Sequence, residues 1–389
     1  MTGHDVTDGV DLPQPTADST RDELGVVGIG ALNLDYIASS ASMSRGVGTR
    51  SLTSRLERLG ATGSFEPGTE KSVDEATIHA VLAEMSTISL EATLGGSAYN
   101  VIYTLTQMKL GLSLGFVGVA GRVPTVSSFS TVSQFDRLGV DRRFVRVDDT
   151  QTCGICFSFA NGSDRTLLTH IGANAKVAKF IDEEFEALVG YLRAARVIHV
   201  TSFLDADTPD RLLTLLTAVR RGNERVIISF DPGYEWSVSR APAVDSIARI
   251  SDVLLLNTRE FRAFGRYSPG DDDLAIAAKL LGRLDNSRSM MIVKRDDGVL
   301  SFRANGDAVV TDHLPHKPLA DPDIEDSTGA GDVFAAGLLA VLASRRLQTD
   351  LGCLLGMRLA KHKMRHVGVH GHGDLPEVTK SFLRSRGGE

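Results

Sequence analysis

In the last fifth of the chain the residues run Asp326-Ser327-Thr328-Gly329-Ala330-Gly331-Asp332, and an apolar helical stretch follows to Ala343. Gly329, Ala330 and Gly331 are small enough for successive backbone N–H groups to converge at the start of that helix. Orphan donors and the positive end of the helix dipole make such a terminus an anion hole. A carboxylate in its first turn, Asp332, can take the proton of an attacking hydroxyl while the amides stabilise charge on a phosphoryl group. The chemistry offered is phosphoryl transfer to an alcohol. Alone, a Gly-rich loop with an acid that merely complements the dipole would read the same way.

The segment does not stand alone. Upstream lie Gly30-Ala31-Leu32-Asn33-Leu34-Asp35 and Gly95-Gly96-Ser97-Ala98-Tyr99-Asn100. Taken in order, the three elements resemble the G-x-x-N-x-D, double-glycine and D-T-x-G-A-G-D motifs of the ribokinase-like (PfkB) family of carbohydrate and nucleoside kinases. Ser327 replaces the usual threonine and keeps its hydroxyl. The resemblance runs from about Gly25 to Pro376. It implies that Asp332 is the catalytic base, and that the amides of Gly329, Ala330, Gly331 and Asp332 hold the transferring phosphoryl group. It also implies that Asn33, Asp35, Gly95, Gly96 and Asn100 form the acceptor site. Carboxylate and amide groups suit vicinal diols, and glycines let a sugar ring approach the backbone.

Shorter stretches carry weaker likenesses. Asp164-Arg165-Thr166 and Gly172-Ala173-Asn174 resemble the family's segment after the hairpin, which implies a phosphate contact for Arg165 and an acceptor contact for Asn174. Asp231-Pro232-Gly233 with Trp236 resembles a central strand end. Asn257-Thr258-Arg259-Glu260 resembles the N-x-x-E element, with Glu260 serving Mg²⁺ through water, as that ion prefers. Lys294 and Gly298 bracket the strand-end nucleotide loop, and Asp326 and Thr328 complete the ATP side. ATP and Mg²⁺ are the implied cofactors, and the resemblance allows K⁺ beside Asp326. Three departures stand out. Lys294-Arg295-Asp296-Asp297-Gly298 is one residue short, with one glycine. An acidic turn is replaced by Ala120-Gly121-Arg122-Val123-Pro124. A long insertion separates Asp35 from Gly95.

The elements that must position these residues follow from periodicity. Apolar runs at Gly25–Leu32, Ser113–Val119, Arg196–Val200, Val226–Asp231, Asp252–Leu256 and Met290–Lys294 read as buried strands, alternating with helical stretches such as Ala98–Met108 and Ser127–Leu138. Such alternation predicts an α/β fold: a central, mostly parallel sheet flanked by helices, with ligands at the carboxyl ends of its strands. TCGICFSFA and RTLLTHI, joined by Asn161-Gly162-Ser163-Asp164, predict a hairpin. This hairpin (153–170) and the segments from about 35 to 95 are expected to build a small β-rich lid. Within the insertion, Ser39 to Thr93 reads mainly as loop, except for a helix over Val73–Met85 capped by Ser72.

Composition is that of an ordinary globular protein: 389 residues, 42% apolar, 23% charged, net charge −7. No basic stripe suggests nucleic acid, and no apolar run is long enough to span a membrane. Cys153, Cys156 and Cys353 form no disulfide framework, and the C-x-x-C lies in an alternating strand where packing explains it. Together these point to the cytoplasm. Residues 1–23 are polar and acidic and read as a disordered leader; 24–389 form the kinase domain. His362, His366, His370 and His372 include one pair at the spacing of zinc ligands, yet glycines interrupt the helix beyond it. A wall near adenine or simple surface placement fits them better.

The expected protein is an ATP-dependent kinase for a small sugar-like acceptor. A nucleoside kinase is the alternative, since a helix ahead of Gly95 resembles the larger lid of adenosine-kinase-like members. A silent ligand-binding regulator of the same fold is a third reading. A homodimer remains open.

Overall fold

A computed structural model describes residues 24–38, 70–85, 90–123, 130–161, 164–239, 241–268, 270–284, 289–306, 308–344 and 348–386. The leader and the first half of the insertion lie outside these residues. The described residues form two sheets. The larger has nine strands: β1 (Leu24–Ile29), β5 (Leu114–Arg122), β6 (Asp141–Thr152), β9 (Ala195–Thr201), β10 (Ile227–Asp231), β11 (Val253–Asn257), β12 (Met290–Arg295), β13 (Gly298–Asn305) and β14 (Ala308–Pro315). Their spatial order is β14-β13-β12-β11-β10-β9-β1-β5-β6. All neighbours from β12 to β6 pair in parallel, and β13 and β14 close that edge antiparallel.

The inner strands are buried on both faces, which is why they read as unbroken runs such as Val-Leu-Leu-Leu in β11. Two large apolar clusters cover the two faces. One includes Ile198, Leu216, Phe230 and Ile247; the other includes Val101, Phe116, Leu255 and Leu339.

The second sheet has the order β3-β8-β7-β2-β4, built from β2 (Asn33–Ala38), β3 (Glu70–Ser72), β4 (Glu91–Gly95), β7 (Gly154–Asn161) and β8 (Asp164–His170). β7 and β8 are the expected hairpin, paired from Ile155–His170 to Asn161–Asp164. Helix α1 (Glu75–Glu84) lays Ile78 and Val81 on a small core with Leu34, Ile155, Phe157 and Leu168. Its N-cap is Asp74, whose Oδ1 accepts the Thr77 N–H at 2.7 Å. Ser72, expected as the cap, instead ends strand β3, because its backbone pairs with Thr169.

Helix α2 (Ser97–Met108) follows β4, and α3 (Thr258–Phe264) follows β11. Helices α4 (Ala330–Ala343) and α5 (Thr349–Lys363) pack closely, since Gly337 faces Gly356 where any side chain would overlap backbone. α4 is buried continuously from Val333 to Ala343. Among the described residues, no helix is long and apolar enough to cross a membrane.

Candidate active site

Gly329 caps α4 in the left-handed region, at φ 73°, a conformation glycine adopts without strain. The chain therefore turns sharply into the helix and brings Asp332 into its first turn. Ala330 N–H is taken by the Ser327 carbonyl at 3.2 Å. Of the four amides expected to cradle an anion, that one is already committed. Helix geometry leaves Gly331 and Asp332 N–H with no carbonyl of a preceding turn.

Around this mouth the large sheet delivers side chains from the carboxyl ends of three neighbouring strands. Lys294 ends β12, and its Nζ would stand 3.4 Å from a Cβ placed on Gly331. The same ammonium donates to Asp231 Oδ2, at the end of β10, across 3.0 Å. Burial would depress Lys294, but the carboxylates of Asp231, Glu260 and Asp332 outweigh it and hold the group above its usual range. Asn257 ends β11 and caps α3 in a reciprocal box: its Oδ1 accepts Glu260 N–H at 2.9 Å, and Glu260 Oε2 accepts Asn257 N–H at 2.7 Å. Glu260 is thus buried. Burial first, then repulsion from Asp231, pushes its carboxyl up to about 7 against the pull of Lys294. Three carboxylates share one lysine, so the cluster carries surplus negative charge. That donor set fits a divalent cation.

Asn100, on the first turns of α2, donates from Nδ2 to Asp332 Oδ2 at 2.9 Å. An amide expected only at the acceptor therefore also orients the acid of the GAGD segment. Gly95 of β4 pairs with Asn33 and lies diagonal to Asp35 of β2, whose carboxylate leans over it so that any side chain there would overlap. Gly96 adopts φ 103° and passes so close to the Ala31 carbonyl that no side chain fits. The second sheet approaches the segment before α4 where Ser158 Oγ of β7 lies 3.4 Å from Thr328 Oγ1.

Not every expected residue takes its expected place. Asn174 is 2% exposed and saturated by the chain. Its Oδ1 accepts Leu32 N–H at 2.8 Å, and its Nδ2 donates to Leu32 O, Asn33 Oδ1 and Ile171 O. It braces the β1–β2 connection instead of reaching toward an acceptor, and it holds Asn33 by the same bond. Gly298 opens β13 opposite Arg295, so Asp296 and Asp297 form a two-residue hairpin rather than an open nucleotide loop. A side chain at Gly298 would overlap the Leu314 carbonyl, which accounts for the glycine. Arg165 pairs with Ala160 next to the hairpin turn; its side chain lies outside the described residues.

Asp326 occupies a different setting. Lys363 Nζ donates to its Oδ2 at 2.6 Å and to its carbonyl at 3.0 Å, while Thr328 N–H bonds to Oδ1 at 2.8 Å. Burial alone would push the Asp326 carboxyl up, yet Lys363 and Thr328 outweigh it and hold it below the usual carboxylate range. His362 Nε2 lies 3.0 Å from the Gly371 carbonyl, an acceptor, so that nitrogen carries the proton; ligand-type atoms of His362, His366 and the exposed Asp374 lie within 4.8 Å of one another. His372 is buried on Thr104 and Val369, and burial brings its imidazole down to about 4.

With this geometry in hand, likeness to known proteins becomes informative. The model of the pfkB family of carbohydrate kinases matches residues 72–362. An adenosine kinase of Schizosaccharomyces pombe is 25% identical over 335 residues, covering 83% of this chain and 94% of that protein. A fructokinase of Salmonella typhimurium is 25% identical across 67% of this chain and 80% of its own length. Among solved structures, Anopheles gambiae adenosine kinase in complex with P1,P4-di(adenosine-5) tetraphosphate superposes with a TM-score of 0.73. It is 19% identical, and the match covers 90% of this chain and 98% of that one.

Proposed function

Because this chain belongs to the pfkB family of carbohydrate kinases, we propose that it transfers the γ-phosphoryl group of ATP to a primary hydroxyl on a furanose-type ring, with Asp332 as base. It is a sugar or nucleoside kinase of ribokinase-like fold. The observation that carries the residue assignment is the convergence of Asp332, Asn100, Lys294 and the first turn of α4 on one point.

In this reading Asp35 and Asn33 hold ring hydroxyls, with Gly95 and Gly96 allowing the ring to lie against the backbone. Asn100 fixes the Asp332 carboxylate. Asp332 accepts the proton of the acceptor hydroxyl as its oxygen bonds to the γ-phosphorus and the bond from that phosphorus to the bridging oxygen of ADP breaks. Amides of Gly331 and Asp332, with the Lys294 ammonium, stabilise charge on the equatorial oxygens. Arg165 adds a second cation there. Mg²⁺ would be held near Glu260 and Asp231 through water, and when bound it neutralises ATP oxygens. Closure of the small sheet over the ring excludes water, so phosphate goes to the acceptor. Free, buried cysteines accord with a reducing cytoplasm.

A nucleoside acceptor is the second reading. The observation favouring it is α1, which packs on the small sheet and enlarges the lid beyond a bare hairpin clasp. An ATP-consumption screen across free sugars, sugar phosphates and nucleosides separates the two. Turnover with ribose- or fructose-like sugars alone supports the first; turnover with nucleosides alone supports the second. No acceptor-dependent turnover with any class refutes both in favour of a silent binding protein.

A further inference from the structure

Lys363 is one of the most buried charged groups among the described residues, at 4% side-chain exposure, and it lies outside the catalytic cluster. An ammonium group has three N–H donors. Here they find three oxygens: Asp326 Oδ2 at 2.6 Å, Asp326 O at 3.0 Å and His366 O at 3.3 Å. Two of the three are backbone carbonyls, the donor set usually offered to a bare monovalent cation rather than to a side chain. The same Oδ2 also accepts Gly368 N–H at 2.9 Å, and Oδ1 accepts Thr328 N–H at 2.8 Å. The seat is closed. An added K⁺ would have to displace a tethered charge of the same sign from oxygens already engaged, so these residues do not fit K⁺ beside Asp326.

We propose that the Lys363 ammonium is a built-in replacement for a monovalent cation, making the phosphate-binding loop independent of K⁺. The connection to that loop is direct. Asp326 Oδ1 holds Thr328 N–H, and the next residue is Gly329, the left-handed cap of α4. Glu325 and Asp326 N–H both bond to the Met364 carbonyl, one residue beyond Lys363. The close crossing of α4 and α5 at Gly337 and Gly356 fixes the lysine against the loop. The charge balance matters as well. An uncompensated Asp326 carboxylate would repel the anion expected three to six residues onward, and Lys363 cancels it without exchange with solvent. Buried ion pairs are weak sources of stability, so this one is better explained by its place beside the anion mouth.

The inference rests on the kinase reading only for its nucleotide probe, and one arm of the test avoids that dependence. The full chain is melted without nucleotide in KCl, NaCl and tetramethylammonium chloride at one ionic strength. Midpoints should agree to within about 1 °C, because a cation with no site adds no mass-action stabilisation. A midpoint several degrees higher in KCl would overturn the proposal whether or not ATP binds. In the second arm, ADP with Mg²⁺ is titrated calorimetrically in KCl and in tetramethylammonium chloride. Wild-type Kd should agree within about twofold. Lys363→Ala, which empties the seat, should bind ADP roughly tenfold more weakly in tetramethylammonium chloride and recover most of that in KCl. Lys363→Met fills the volume without charge; it should show the loss and no recovery. Unchanged ADP affinity in Lys363→Met would refute the proposed role. If Lys363→Ala does not fold, the wild-type melts and the methionine variant decide the matter. If ADP binds in neither salt, the kinase reading has failed while the melting arm still tests the seat.

Discussion

Two lysine–carboxylate pairs flank the start of α4, and they are built on opposite plans. Lys363 and Asp326 are matched one to one, with carbonyls and amide N–H groups filling the remaining positions. Lys294 faces Asp231, Glu260 and Asp332 together, so its charge is divided and the cluster remains net negative. The first arrangement resists any newcomer. The second is poised to accept a cation and a phosphorylated ligand at once. The contrast teaches that buried charge alone does not identify a reactive centre; incomplete neutralisation does.

The largest expected effect tests the unsaturated side. Asp332→Asn should lower kcat by about 10²–10⁴-fold with little change in acceptor KM, because it removes a base needed only in the transition state. Retention of half the wild-type kcat would show that the acid on α4 only tunes the site. Next, Lys294→Met should reduce kcat/KM for ATP by roughly 10–100-fold, the range for a charge-assisted hydrogen bond to phosphate. Should it cost stability alone, Lys294 belongs with the saturated pair and the contrast collapses.

Asn174 sharpens the comparison from the saturated side. Since its amide is consumed by Leu32, Asn33 and Ile171, Asn174→Ala should cost about 1–3 kcal/mol in denaturant unfolding. Acceptor KM should move only through the released Asn33, by about twofold or less on this reading. A large KM change at unaltered stability would return Asn174 to the acceptor site.

The smallest effect is a slope. His199 is 1% exposed, lies 3.1 Å from Ser229 Oγ, and is brought from 6.5 down to about 4 by burial and by Lys294, against the pull of Asp231. Its folded pKa is below its unfolded one, so between about pH 6.5 and 4 the unfolded chain binds more protons. Its contribution to stability is therefore full above about 6.5 and lost as pH falls toward 4. His199→Gln should flatten that slope without abolishing it, because His372 is held equally low. An unaltered slope in denaturant midpoints across this range would exclude His199 as a source.

The sequence displayed the parts of the fold that are buried on two sides. β9 to β12 are short β-branched or leucine-rich runs, and their limits fall within a residue or two of those expected. β6 escaped notice because Asp141–Thr152 is an edge strand whose polar face, with arginines and aspartates, has no apolar period. β13 and β14 were obscured likewise, being an antiparallel edge with a largely wet outer strand. In the site, local strings were legible: the glycines before Asp332, the N-x-x-E element at Asn257–Glu260, and the double glycine at Gly95; the capping box and the contact of Gly95 with Asp35 were not. Pairings over long sequence distance were not. Nothing near Asn100 indicates that it touches Asp332, and nothing in KHKMRH marks Lys363 as the partner of Asp326. The hairpin at Asp296-Asp297 explains why the nucleotide loop looked a residue short.

The brace at Asn174 has a consequence for how such a catalyst could diversify. The chain passes between the small sheet and the large one at four seams: Gly30 to Leu32, the passage from Gly95 into α2, the turn around Cys153, and the segment from Ile171 that follows β8. Asn174 fastens the first of these to the segment following β8. On the proposed reading, Asn33, Asp35 and Gly95, three of the residues assigned to the ring, thereby sit on a unit with fixed attachment points, while Lys294, Glu260 and Asp332 stay on the large sheet and its helices. If that reading holds, acceptor preference behaves as an exchangeable cassette: strands and insertions between the seams would be replaceable as long as the Asn174 amide that pins Leu32 is kept.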